Sequence, residues 1–318
     1  MHSYRDLLER HDAPPGSSWG LCGDLGTIAF LSEENVRAGI GCVRRGATFN
    51  LDWPINAFTP PISPVRHLTH HTIYQRHSNH RDDFLDSFYL QGTSQIDGLR
   101  HMRDSRYGFY NNTPDSEVSE TSSRIGIGLW AEKGIVGRGV LVDLERHLQS
   151  VQARTLDHRA GEPFRASLVD AAAAAQGVRF APGDILLLRT GWSRFYFEEM
   201  STAERDALPM NIVSPGFLQD EETLQWLWDH QFSLVASDNV AVEALPVRES
   251  SPFFSENAAG MIHPALIALL GLALGELWRL DELAEDCAND GVYEFLVFAK
   301  PLNLIGGVGS PPNAMAIK

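Results

Sequence analysis

Residues 91–101 read QGTSQIDGLRH and place Gln91, Gln95, Asp97 and His101 at intervals of four, two and four. In an extended segment the first three differ by even numbers and therefore share a face. Gly92 and Gly98 permit turns and the close approach of another group. One carboxylate with two neutral amide oxygens suits a hard divalent cation such as Mn or Mg. His101, just outside, carries the side chain best suited to proton exchange near neutral pH. A polar, hydrogen-bonded strand end explains the same spacing equally well.

Downstream, the apolar runs Gly139–Leu144 and Asp184–Thr190 have strand length and the character of strands covered on both faces. Alanine-rich Ser167–Gln176 between them reads as a helix, as does Leu224–His230, which leads into a strand at Phe232–Ser237. His263-Pro264 opens a helix that Gly271 ends. Asp281 caps another over Glu282–Ala288, and Val292–Ala299 is a strand. His263 and Glu276 thus flank a helix and can both return to one end of the core. On spacing alone, a helix cap and a solvated turn residue are the simpler readings of the two.

The first 60 residues, rich in Gly and Pro, read as loops, turns and brief strands at Gly26–Leu31 and Ala47–Leu51, laid over a core. A histidine-rich stretch follows, from which His70 or His71 is the candidate substrate contact, with surface or loop histidines the simpler reading. Phe84–Leu90 reads as a strand, and residues 103–123 as a long functional loop. Arg189, ending an apolar strand, is a candidate for orienting a carboxylate, with a structural ion pair the alternative. The aromatics Tyr107, Phe109, Tyr110, Trp192, Phe195 and Tyr196 suit an apolar or aromatic ligand or ordinary core packing. Gly306–Gly309 lacks the residues of a phosphate loop and reads as a tight turn.

The chain has 318 residues, 43% of them hydrophobic, and a formal net charge of −15. That mix builds a sizeable core, and the acidic balance argues against a nucleic-acid partner, which needs basic residues along the phosphates. No apolar run approaches the roughly 20 residues of a membrane helix. Three scattered cysteines lack metal-ligand spacing and, with no secretory signal at the N-terminus, set the expectation of a cytoplasmic protein with reduced thiols. One α/β domain over 1–318, with 1–60 as a loop-rich arm packing on the core, is the simplest organisation.

Taken together, these segments resemble the cyclase family of metal-dependent hydrolases, which includes bacterial kynurenine formamidase and isatin hydrolase. The family signature is H-x-G-T-H-x-D-x-P-x-H, and residues 91–101 end on the same Asp and His. WGLCGDLGTIAFL near residue 19, GDILLLRTGW at 183–192, SDNVAVEALP at 237–246, the His263 and Glu276 segment and the LIGGVGSPPNA ending extend the resemblance over nearly the whole chain.

The resemblance implies a swivelling β/β/α-type fold, a mixed sheet flanked by helices, and a homodimer or homotetramer. It assigns Asp97 as a metal ligand, His101 as the catalytic histidine, and His263 with Glu276 as the later pair that completes the metal site. Gln91 and Gln95 stand where the family has histidine ligands. Amide oxygens are weaker and harder donors than imidazole, which favours one cation, Mn before Zn or Mg, over a two-metal centre. A branch of the family resembles this pattern with Q-G-x-T-Q-W-D-x-L-x-H, from which Ile96 departs.

The activity so implied is metal-dependent hydrolysis of an amide, lactam, lactone or related acyl bond in a small apolar or aromatic molecule. Gln91 and Gln95 would complete the coordination sphere, and Asp97 and His101 would carry the catalysis. The rival is a metal-free lyase, dehydratase or cyclising enzyme, with His101 and Asp97 as acid–base groups and no cofactor.

Overall fold

The computed structural model describes residues 2–318. The strands of its main sheet and of one hairpin are β1 (Thr48–Asn50), β2 (His70–His77), β3 (His80–Asp86), β4 (Gln95–Asp97), β5 (Ile135–Asp143), β6 (Ile185–Arg189), β7 (Leu234–Ser237), β8 (Ala273–Glu276), β9 (Glu294–Ala299), β10 (Gly309–Ser310) and β11 (Ala314–Ile317). Among the described residues, nine strands form one mixed sheet in the order β1-β11-β9-β5-β6-β7-β8-β4-β10. The inner four, β5 to β8, run parallel, and the flanking pairs are antiparallel. Parallel strands need both faces covered. Accordingly Val140–Val142, Ile185–Leu188 and Leu234–Ala236 are all buried.

The covering helices are α1 (Tyr4–Leu8), α2 (Glu33–Cys42), α3 (Ile127–Lys133), α4 (Leu144–Gln152), α5 (Ala166–Ala175), α6 (Glu221–Asp229) and α7 (Asp281–Asp290). Helix α5 packs on α4, α6 and β5 through Val169, Ala172 and Ala173, small side chains that bring its axis close to its neighbours. Helix α2 lies across β5 and β9. A Cβ on its Gly39 would stand 2.8 Å from the Gly137 carbonyl, so only glycine allows this approach.

Most expected elements appear with their ends moved by a few residues. The N-terminal segment differs more. It contains α1, α2 and a 3₁₀ stretch over Gly23–Phe30 where loops and a brief strand were expected, while the Ala47–Leu51 strand forms as β1. Ser3 with Asp6, and Ser32 with Asn35, form reciprocal capping boxes that hold the two polar helices. The expected strand over Phe84–Leu90 ends at Asp86, as the return arm of the exposed β2–β3 hairpin. The helix after His263-Pro264 is a single π-type turn, Ala265–Leu269. Asp281 begins α7 but caps nothing, since its carboxylate is taken by Arg189. No helix among the described residues is long and apolar enough to cross a membrane.

Candidate metal and catalytic site

Strand register assembles the site. Gln95 of β4 pairs with Glu276 of β8, and Asp97 pairs with Leu274. Directly opposed residues project to the same face of a sheet, and alternation brings Asp97 onto that face too. The Gln95 amide accordingly donates through Nε2 to Glu276 Oε2. The strand ends are pinned nearby: Ser94 Oγ donates to Leu277 O at 2.6 Å and accepts from Trp53 N at 2.9 Å, and the Trp278 indole donates to Gln95 O at 3.0 Å.

His263, at the entry of the π turn, brings the third ligand candidate. One ligand atom from each of Asp97, His263 and Glu276 lies within 4.8 Å of the others, all in buried side chains. His263 Nε2 is 3.0 Å from Glu276 Oε1, and Nδ1 is 2.5 Å from Glu243 Oε1. Glu243, fully buried, also accepts from His263 N (3.0 Å), Ile262 N (3.1 Å) and Gln219 Nε2 (3.0 Å). A carboxylate behind the remote ring nitrogen fixes the tautomer and turns the other nitrogen toward the site, the usual support of a metal-binding histidine.

Burial and the negative charge of Asp97 push the Glu276 carboxyl up to about 7. Burial opposes a charged His263 ring, but the hydrogen bonds to Glu243 and Glu276 prevail and hold its pKa well above the usual value. The cluster therefore retains protons that a divalent cation would replace. Asp97 Oδ2 is buried and makes no hydrogen bond, so it is free to ligate. Two carboxylates and one imidazole nitrogen fit a divalent cation with coordination positions left open.

Gln91 and Gln95 lie beside this triad but do not present oxygen to it. Gln91 Nε2 donates to Asp97 Oδ1 and approaches His101 Nδ1 at 3.0 Å. Gln95 directs Nε2 at Glu276 and its Oε1 at Arg66 Nη1, 3.3 Å away. Turning either amide over would set oxygen against a carboxylate oxygen. In this arrangement both glutamines, expected from the sequence as ligands, act as hydrogen-bond donors to two of the three triad side chains.

His101 lies on the same cleft, with Nε2 3.7 Å from Asp97 Oδ2. Burial lowers its pKa; Asp97 opposes this, while the charges of His263 and Arg66 reinforce it. The ring is neutral at pH 7 and can accept a proton. Behind it, the turn Gly306–Gly309 closes on the motif: a Cβ on Gly98 would meet Val308 O at 2.5 Å, and one on Gly309 would meet the Gln91 side chain at 2.9 Å.

The expected substrate contacts fare differently. His70 and His71 are on the exposed β2–β3 hairpin, where His71 pairs with Asp83 at 2.8 Å, and neither lines the cleft. Arg189 is buried and tied to Asp143, Glu145 and Asp281 at 2.8–3.0 Å, an ion-pair hub away from the cleft. Tyr110, Trp192, Phe195 and Tyr196 are core residues. The apolar cleft wall is aliphatic: Ile62, Ile212, Val240, Leu245 and the methionines 102 and 261. A cavity of about 190 Å³ falls below the roughly 300–1,000 Å³ of drug-sized ligand sites, so it suits a small molecule.

Glu243, Gln219 and Arg66 were missed by sequence reasoning. The one signal for Glu243 is a charge inside the apolar run Val240–Leu245. Arg66, in a proline-rich connection, carries none.

Comparison with known proteins bears on the family and the fold. The family model described as "Putative cyclase" matches residues 51–244. The chain belongs to the cyclase family. A crystal structure described as that of a novel cyclase is 30% identical to this family member, with a TM-score of 0.80, 95% of this chain and 99% of that one being covered. Isatin hydrolase A from Ralstonia solanacearum (16% identity, TM-score 0.57, 91% and 98% covered) shares the fold. So does isatin hydrolase A from Labrenzia aggregata bound to benzyl benzoate (16%, 0.55, 90% and 98%). None of the curated proteins compared with the chain matches it. The cyclase family is one of enzymes, and this member has a buried triad able to hold a divalent metal.

Proposed function

We propose that this cyclase-family enzyme hydrolyses an amide, lactam, lactone or related acyl bond of a small apolar or aromatic molecule, with a divalent cation, manganese before zinc or magnesium, on Asp97, His263 and Glu276. The observation that carries the reading is the free, buried Asp97 Oδ2 beside an imidazole whose far side Glu243 holds. When bound, such a cation acidifies water and polarises a carbonyl. Glu243 fixes the His263 ring, while Gln91 and Gln95 hold the carboxylates of Asp97 and Glu276 in position by hydrogen bonds. His101, neutral and at the cleft surface, takes up the proton released from water and returns it to the leaving group. The aliphatic wall seats the apolar part of the substrate. The resemblance to family oligomers supports a homodimer or homotetramer.

The test is a panel of N-formyl amides, lactams and lactones assayed with chelated protein and after readdition of Mn, Zn or Mg. Chelation should abolish turnover and manganese restore it most fully. Full activity in chelated protein of verified low metal content would overturn the metal reading. It would favour acid–base chemistry by His101 and Asp97, for which the satisfied carboxylate–amide hydrogen bonds are the supporting observation.

A further inference from the structure

Arg66 enters the cleft beside Gln91, Gln95 and His101. Nη1 is committed, donating to the Gln91 backbone carbonyl and to Gln95 Oε1. Among the described residues Nε and Nη2 make no hydrogen bond and the guanidinium has no carboxylate partner. Arg138 and Arg194 are matched by carboxylates, while Arg100, Arg205 and Arg248 are spent on backbone carbonyls, and none of these five lines the cleft. The Nε and Nη2 edge presents two parallel N–H groups, the fork that fits both oxygens of one carboxylate. Arg66 is therefore anchored by one nitrogen, with its bidentate edge unused in a small cleft.

We infer that Arg66 forms a carboxylate subsite: the substrate is a small acid whose carboxylate docks on the Nε and Nη2 edge while its apolar body lies on Ile62, Ile212, Val240 and Leu245. This deepens the proposed function and rests on the cleft being the hydrolytic site. The charges are consistent. Asp97, Glu243 and Glu276 make this end of the cleft acidic, and Arg66 is the fixed positive charge that admits an anion there. Its bonds to Gln91 and Gln95 also place the docked acid at a set distance from the triad. The aliphatic side chains beside it lower the local polarity, which strengthens a charge-assisted pair.

Calorimetric titration with benzoate and with benzamide tests the subsite directly. It is run on wild type, Arg66→Gln and Arg66→Lys, in chelated protein and again with manganese. Wild type should bind benzoate more tightly than benzamide. Arg66→Gln should weaken benzoate at least tenfold and leave benzamide unchanged, with Arg66→Lys between, since it keeps the charge and loses the fork. Three results overturn the inference: no benzoate binding to wild type, equal affinity for benzoate in the folded Lys variant and wild type, or parallel loss of both ligands. Substrate-panel kinetics separate the two readings. Arginine-dependent benzoate binding without acyl hydrolysis retains the subsite and removes the hydrolase. Hydrolysis whose preference for carboxylate-bearing substrates is unmoved in Arg66→Gln does the reverse.

Discussion

Replacing Glu243 by Gln isolates the group that orients the candidate metal-binding histidine. Glu243 accepts four hydrogen bonds, two on each oxygen: from His263 N and Nδ1, and from Ile262 N and Gln219 Nε2. A glutamine keeps one oxygen and substitutes an amide that accepts nothing, so in either orientation two of the four bonds are lost, although Gln219 Nε2 keeps the Ala244 carbonyl. Each bond to a charged acceptor contributes about 1.5–3 kcal/mol, which puts the loss at about 3–6 kcal/mol. With an unfolding entropy of about 2.1 cal/mol/K per residue over 318 residues, that is a fall in Tm of about 5–9 °C. The ring also loses its fixed tautomer, and metal affinity should drop about 10–100-fold. Differential scanning calorimetry and manganese titration read the two effects. A variant that melts and binds manganese like wild type refutes the orienting role.

His101→Asn should bind manganese as wild type does and lose about 10²- to 10⁴-fold in turnover. Because burial lowers the His101 pKa below its usual 6.5, the acid limb of the wild-type kcat profile should lie below pH 6.5. A limb at or above that pH counts against His101 as the base. His158, stacked on Phe195, is pushed down to about 4 by burial and Arg194. Between 6.5 and about 4 the unfolded chain takes up a proton that the folded one refuses, so folding stability falls on acidification through that window. At 1.36 kcal/mol per pH unit the loss reaches about 3 kcal/mol, and His158→Gln should remove it. Urea unfolding at pH 7 and pH 4 checks this; an equal stability gap between variant and wild type at both values contradicts it.

The parts of this structure that were legible in the sequence are those whose burial is continuous. The apolar runs at Ile185–Arg189 and Leu234–Ser237 read as strands because both faces are covered, which leaves every position along them apolar or small until the charged or polar end. Helix α2 was not legible: its sequence, EENVRAGIGC, is polar and contains two glycines, and a capping box with a glycine contact to β5 holds it. The triad residues were each legible through the family resemblance, but their meeting depends on the β4–β8 register, which no local spacing encodes. Glutamine polarity was legible as well, whereas the direction of each amide depends on carboxylates and an arginine far along the chain. Arg189 and His71 illustrate the opposite error. Their chemistry suggested a ligand, and ion pairs with Asp143, Glu145 and Asp281, or with Asp83, account for them.

Gln95 and Glu276 are 181 positions apart, and Glu243 and His263 enter from a third region. Such distant pairings are slow to form because chain closure must be accomplished before any contact rewards it. Short fragments of this chain cannot own the cluster, and ion affinity should emerge only as the last strands dock, making a bound cation a stopwatch for the final stage of refolding.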